Sequence, residues 1–301
     1  MNLTKIIESV PNISEARRKE VLEKILQAIQ GVPDTRILDV KPDLDHNRTV
    51  ISLAGSPEGI KEQLLKLYDV SHSMIDLRHH KGEHPRAGAV DVTPLIPIKN
   101  VTMDECVALA KEIGKEVAER FHIPVFLYEF AASTEARRDL AIIRKGEFEG
   151  FPEKIKKAEW LPDFGSAEIH PSFGVTVIGA RMPLIAFNVN LGTSDIQIAN
   201  KISKAVRHSG GGLRFVKAMG VMLQDRNIVQ VSMNLTDYKK TPVYRAVEMV
   251  RREAARYGVN VVGTELIGLI PAEAIYDTAD YYLQMENFNP SQILENKLME
   301  E

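Results

Sequence analysis

Apolar and polar positions alternate along this chain with two periods, and the switches between them divide it into elements. Lys5 to Val10 reads as a strand ending at Pro11-Asn12, and Ser14 stands as cap of a helix carrying Val21, Leu22, Ile25, Ala28 and Ile29, closed by Gly31. Arg36–Val40 and Arg48–Leu53 follow as strands across the polar turn Pro42-Asp43-Leu44-Asp45. Ser56-Pro57-Glu58 starts a helix with proline at the first position, where its missing N–H costs nothing. Ile60, Leu64, Leu67 and Tyr68 form the apolar face of that helix. Ala89–Ile98 reads as a strand interrupted or bent at Pro94 and Pro97. Thr102 to Glu105 is a capping box that opens a long helix through Val117 and Phe121. Pro124 introduces the strand Val125–Tyr128, and Ser133 to Lys157 reads as one or two polar helices.

The second half has the clearer grammar. Leu184–Leu191 is a strand, and Ser194 to Gln197 forms another capping box before Ile198, Ile202, Ala205 and Val206 at helical spacing. Gly210-Gly211-Gly212 breaks that helix; with no helix start behind it, the run is a loop and not a dinucleotide fingerprint. Val216–Leu223 and Ile228–Leu235 read as a hairpin, the second strand alternating Val229, Val231, Met233 and Leu235 against Gln230, Ser232 and Asn234. Thr241-Pro242 starts a helix that stops at Gly258, and Val259–Val262 returns as a strand. That order is β-α-β-β-α-β, the ferredoxin-like arrangement. The first half repeats it with an extra helix and strand. The expected fold is therefore α/β (α+β): two ferredoxin-like βαββαβ-type halves, 1–180 and 181–301, each a sheet covered by helices on one face. The polar tail from Glu286 to Glu301 reads as a frayed helix.

Composition narrows the class of protein. A length of 301 residues allows a large core and two domains. A net charge of −3 speaks against a nucleic-acid binder, so positive character must be local. No stretch approaches the ~18 apolar residues that would span a bilayer, and the polar N-terminus does not read as a signal peptide. One cysteine permits no internal disulfide and fits a reducing, cytoplasmic setting. Cys106 falls on an apolar helical stripe with Val107, Ala110 and Ile113 and is expected to pack.

The densest chemistry lies in 76–91. This stretch holds His79, His80 and His84, three of the eight histidines, together with Arg78, Lys81, Arg86, Asp76, Glu83 and Asp91. His80 and His84 have the spacing of a helical metal pair, but Gly82 between them and Pro85 after them oppose a helix. A kinked loop is expected. Two chemistries remain open on the residues alone: a histidine acting as general acid or base, or a metal site of imidazoles and carboxylates. Trp160 to Gly174, rich in Pro, Gly and Phe, is a shaped loop suited to a ligand wall or a connection.

His80 to Asp91, read as His-Lys-Gly-Glu-His-Pro-Arg-Ala-Gly-Ala-Val-Asp, resembles the central motif of the glutamate formimidoyltransferases. Val10 to Ser14, Asn47 to Val50, Trp160 to Gly165, Pro171 to Gly174, Ile178 to Arg181, Leu184 to Asn190 and Gly263 to Pro271 resemble the same family in the same order, over nearly the whole chain. The resemblance implies transfer of a formimino group from N-formimino-L-glutamate to tetrahydrofolate, without a metal, in a passage between the two sheets. It also implies a homodimer and, from the chain's length, absence of the cyclodeaminase domain that some members carry fused.

Matched onto the motif, His84 is the expected proton carrier, oriented by Glu83 or Asp91, with Pro85 restricting its backbone. His80 is a second carrier or a substrate contact, and His79 points outward. Asp39, closing a strand, is either a site carboxylate or a turn residue. Arg48, Arg86 and Arg181 suit the carboxylates of the substrates. The family's folate segment maps onto Gly165, Ser166, Ala167, Glu168, Ile169, His170, Pro171, Ser172, Phe173 and Gly174, with Phe173 against the pterin ring. Formyl transfer between 5-formyltetrahydrofolate and glutamate stands as the alternative, followed by a non-catalytic folate-binding homologue; a metal-dependent hydrolase is the remaining class.

Overall fold

A computed structural model describes residues 4–299 and divides the chain after Arg181 into two compact units; all counts below concern the described residues. The first unit contains β1 (Ile6–Ser9), β2 (Asn12–Ile13), α1 (Lys19–Ile29), β3 (Thr35–Asp43), β4 (Arg48–Gly55), α2 (Pro57–Met74), β5 (Val90–Lys99), α3 (Met103–Phe121), β6 (Val125–Glu129), α4 (Leu140–Arg144), α5 (Glu147–Lys154) and β7 (Thr176–Ala180). Its seven strands form one sheet. β4 pairs antiparallel with β3 on one side and with β1 and β2 on the other, and β1 and β2 pair with β5. This is the ferredoxin-like order. β7 and β6 then extend it in parallel beyond β5.

Strand alternation decides the two faces. Thr49, Ile51 and Leu53 are fully buried, while Arg48, Val50, Ser52 and Ala54 between them face the other way. The first face packs on α1, α2 and α3 through Ile25, Leu64, Tyr68, Ile113 and Val117. The expectation of helices on one face only is corrected at β5–β7–β6. There Val92, Phe126, Tyr128 and Val177 form a second core with Ile143 and Phe151 of α4 and α5, which cover the opposite face.

Local signals mostly select the helix starts. Ser56 accepts the Gly59 N–H at 3.1 Å, and Thr102 and Glu105 close their box. Ser14 does not cap α1: its hydroxyl donates to Gly88 O, and the Glu15 carboxylate takes the Arg17 and Arg18 N–H groups instead. Pro94 and Pro97 do not break β5, which runs unbroken over ten residues.

The second unit contains β8 (Ile185–Leu191), α6 (Ile196–Val206), β9 (Val216–Leu223), β10 (Ile228–Leu235), α7 (Val243–Ala255), β11 (Val261–Ile267), α8 (Ala272–Leu283) and α9 (Leu294–Met299). Its sheet has the order β11-β8-β10-β9, all antiparallel, again ferredoxin-like. Ile185, Val189, Leu191, Val229, Val231 and Met233 pack on Ile202, Val206, Ala246 and Val250 of α6 and α7. Asp195, one residue later than expected, caps α6 by accepting the Gln197 N–H. Gln230 lies on the expected polar face, yet it is 4% exposed. No helix among the described residues is long and apolar enough to cross a membrane. The last two residues of the expected frayed tail lie outside the described residues.

Candidate active site

The turn between β3 and β4 and the 76–91 loop fold against each other. Asn47, at φ 47°, holds them together: its side chain donates to Lys81 O at 3.1 Å and accepts from Ala16 N–H at 3.0 Å. Gly82 is needed because a Cβ there would lie 2.1 Å from His46 O. The loop is irregular, as Gly82 and Pro85 require.

His84 lands beside Arg48. The Arg48 guanidinium donates to His84 Nε2 at 2.6 Å. Arginine carries no acceptor and stays charged, so Nε2 must be the unprotonated nitrogen of a neutral ring. Nδ1 is buried and finds no hydrogen-bond partner among the described residues. Burial, then the charges of Arg48 and Arg144, push the imidazole down to about 4, against a smaller opposing pull from Asp91. His46 packs edge-on to His84 at 5.8 Å between centroids and bonds through Nδ1 to Asp43 Oδ2 at 2.7 Å.

Neither carboxylate expected to orient His84 does so. Asp91, 1% exposed, accepts from Ala87 N–H at 2.7 Å and pairs with Arg144. Glu83 is exposed and, among the described residues, tied only by its backbone, to Asp45 O. The orienting contact comes from Arg48.

His80 is committed at both nitrogens. Nε2 donates to Asn47 O at 2.9 Å, and Nδ1 accepts from Arg86 Nε at 3.1 Å. That arrangement fixes the loop and leaves no nitrogen for proton transfer. Arg86 is 8% exposed and held by Glu147 at 3.0 Å and Glu149 at 2.7 Å, so it clamps the loop to the start of α5. His79 points outward, with its side chain 83% exposed.

Asp39 lies within β3 and does not close a strand. It pairs with Ser52, and its carboxylate accepts the Val40 N–H and approaches Lys41 at 3.8 Å. It shares with Arg48 the face opposite α1, α2 and α3 but sits four residues along β4 from it, roughly 13 Å at the rise of a strand. Arg181 follows β7, with its charge acting on Glu8 and its side chain bonded to Tyr128. Glu8, opposite Ala54 on the same face, was not singled out from sequence; burial raises its carboxyl against the pull of Arg181. Arg144 was missed too, because a basic residue ending a short polar helix looks like an ordinary solvated charge.

Across 165–174, Gly165 to Glu168 are exposed, and His170 accepts the Phe173 N–H at 3.0 Å and meets His72 Nε2 at 3.1 Å. Phe173 is corrected as a pterin platform: it is 0% exposed and stacks on Tyr68 at 6.2 Å inside the core. Cys106 is buried, and burial pushes its thiol up to about 12, as packing requires. Among the described residues no group of three or more His, Cys, Asp or Glu side chains is placed so that it could hold a metal ion.

Comparison with known proteins places the chain in a family. The chain matches the formiminotransferase domain, N-terminal subdomain, over residues 6–181 and the formiminotransferase domain over residues 186–299. It is 48% identical to a glutamate formimidoyltransferase of Streptococcus pyogenes, covering 99% of this chain and 100% of that one. It is 46% identical to a glutamate formimidoyltransferase of Thermoplasma acidophilum, covering 97% of both. A formimidoyltransferase-cyclodeaminase of Rattus norvegicus is 44% identical, with 94% of this chain spanning 53% of that protein. Two family matches that meet across the change of unit, and relatives matched from end to end, establish that the chain belongs to the formiminotransferase family.

Proposed function

We propose that this chain is a glutamate formimidoyltransferase that moves the formimino group of N-formimino-L-glutamate to tetrahydrofolate, with His84 carrying the proton. The observation that supports this reading is the Arg48–His84 pair: a neutral imidazole held low by burial and two guanidinium groups beside it. At neutral pH such a ring is a base with its lone pair available once Arg48 moves away. A substrate carboxylate draws Arg48 to itself, because charged bidentate pairs are stronger than an arginine–imidazole bond. Arrival of the substrate thereby uncovers Nε2.

The steps then balance. N5 of tetrahydrofolate attacks the formimino carbon, the N5–C bond forms, and the π pair moves to the imino nitrogen. His84 takes the proton from N5 and returns one to the glutamate nitrogen as its bond to carbon breaks, while the pair on the imino nitrogen re-forms the C=N bond. Glutamate and 5-formiminotetrahydrofolate leave with no net proton change. With Arg48 drawn to the substrate the imidazole rises from about 4, toward the range in which one ring both takes and returns a proton.

The test is a donor comparison on the purified protein, with product followed after acid conversion to the methenyl form. Turnover of tetrahydrofolate with formiminoglutamate is expected. Turnover confined to 5-formyltetrahydrofolate plus glutamate would replace this reading with formyl transfer, and binding without either turnover would make the chain a folate-binding homologue.

A further inference from the structure

Two of the family-like segments, Leu184 to Asn190 and Gly263 to Pro271, supply residues to one polar cluster on the second unit's sheet, on the face opposite its helices. Strand register builds it. Asn188 pairs with Glu265 across β8–β11, Asn190 pairs with Gly263 there and with Gln230 across β8–β10. Paired residues share a face, so Asn188, Asn190, Gln230 and Glu265 stand together. Gln230 Nε2 donates to Asn190 Oδ1 at 2.8 Å and to Glu265 Oε2 at 3.2 Å, and Asn188 Nδ2 donates to the same oxygen at 3.3 Å.

Three amide side chains between 4% and 7% exposed are costly to place on a sheet face unless every polar atom is paired. This cluster does not close on itself. Asn188 Oδ1 is buried and has no partner among the described residues. Both amide protons fall on one oxygen of Glu265, which leaves Oε1 to receive a donor from outside. Gly263 leaves a notch beside them: a Cβ there would meet only Asn190 Nδ2, at 3.8 Å. Met219, in the row of Asn188 and Ser232, adds an apolar surface that is 61% exposed.

A carboxylate oxygen beside an unpaired amide oxygen, next to a gap and an apolar flank, calls for a flat heterocycle rich in N–H donors. We propose that Glu265, with Asn188, receives the 2-amino-4-oxopyrimidine edge of the tetrahydrofolate pterin, whose N3–H and 2-amino group lie side by side and match the two free acceptors, Glu265 Oε1 and Asn188 Oδ1. This assignment rests on the folate-dependent function proposed above. The buried position of Phe173 in the first unit's core removes it as a platform for that ring.

The experiment titrates the full-length protein by calorimetry with 6-methyltetrahydropterin, which lacks the aminobenzoyl-glutamate tail, and separately with formiminoglutamate. Wild type, Glu265→Gln and Gly263→Val are compared, with thermal melts to show that the variants fold. A lost charged hydrogen bond corresponds to a weakening of about 10- to 100-fold; that loss is expected for the tetrahydropterin in Glu265→Gln and in the notch-filling Gly263→Val, with formiminoglutamate binding unchanged. Tetrahydropterin binding unchanged in both variants would overturn the assignment, as would weakening of formiminoglutamate alone, which would move the donor pair to the amidine. Wild-type turnover is measured alongside. Turnover with unaltered tetrahydropterin binding in the variants sinks the site and keeps the function. Tetrahydropterin binding lost in the variants, but without wild-type turnover, keeps the site and sinks the function.

Discussion

Replacing Arg48 by methionine keeps the length and apolar stem of the side chain and removes the charge 2.6 Å from His84 Nε2. The imidazole stands at about 4 against an ordinary 6.5, with burial the largest cause, Arg48 the next and Arg144 after it. A unit charge 4 Å away contributes about 1 kcal/mol in a water-like dielectric and about 4 kcal/mol at the value typical of surface pairs. Burial already takes the largest share of the displacement, so the lower figure applies, and it corresponds to about 0.7 of a pH unit. Arg48→Met should therefore raise His84 to nearly 5. Isotope-labelled histidine NMR reads this on the free enzyme, without interference from substrate ionisation. The sign extends to stability. Between pH 6.5 and 4 the unfolded chain binds a proton that folded His84 refuses, so stability falls as pH drops through that window and is fully retained above it. The whole effect is at most about 3 kcal/mol, and the variant narrows it. A His84 titration that stays at 4 or moves lower in Arg48→Met would refute the electrostatic argument.

Other expectations concern the scaffold behind the loop. Arg137, 5% exposed, pairs with Asp163 at 2.9 Å and donates to Glu159 O and Leu161 O, so Arg137→Met strands a buried carboxylate and should cost about 3–5 kcal/mol by denaturant unfolding. Gly88→Ala would place a Cβ 1.8 Å from Val175 O, and overpacking of this kind costs about 1–3 kcal/mol or more. Its melting temperature should fall, with activity reduced because Gly88 anchors the end of the histidine loop.

How much of this was legible beforehand follows from how local each determinant is. Capping at Ser56 and Thr102 is decided within a few residues and read correctly; the alternation of β10 gave its two faces but not the burial of Gln230. Ser14 misled because a hydroxyl before an amphipathic run looks like a cap, whereas the long-range acceptor Gly88 O took it. The helices α4 and α5 carry weak periodicity, so the face they cover became visible only with Phe126 and Ile143 in one core. The site divides in the same way. His84 stood out as a candidate from its loop, but its partner Arg48 comes from a distant strand, and Arg144 and Glu8 reach their places through tertiary pairing that no spacing announces. Phe173 failed as a ring platform because an aromatic residue in a Gly-rich loop looks the same whether it faces a ligand or the core.

The central claim is that His84 carries the proton, and His84→Ala tests it most directly. Steady-state transfer from formiminoglutamate to tetrahydrofolate would be compared between wild type and variant, with circular dichroism and melting to establish folding and added imidazole as rescue. General acid–base catalysis contributes about 10²–10⁴-fold, so kcat should fall by that factor, with KM little changed and partial recovery in imidazole. A folded His84→Ala protein whose kcat stays within a few-fold of wild type would contradict the account.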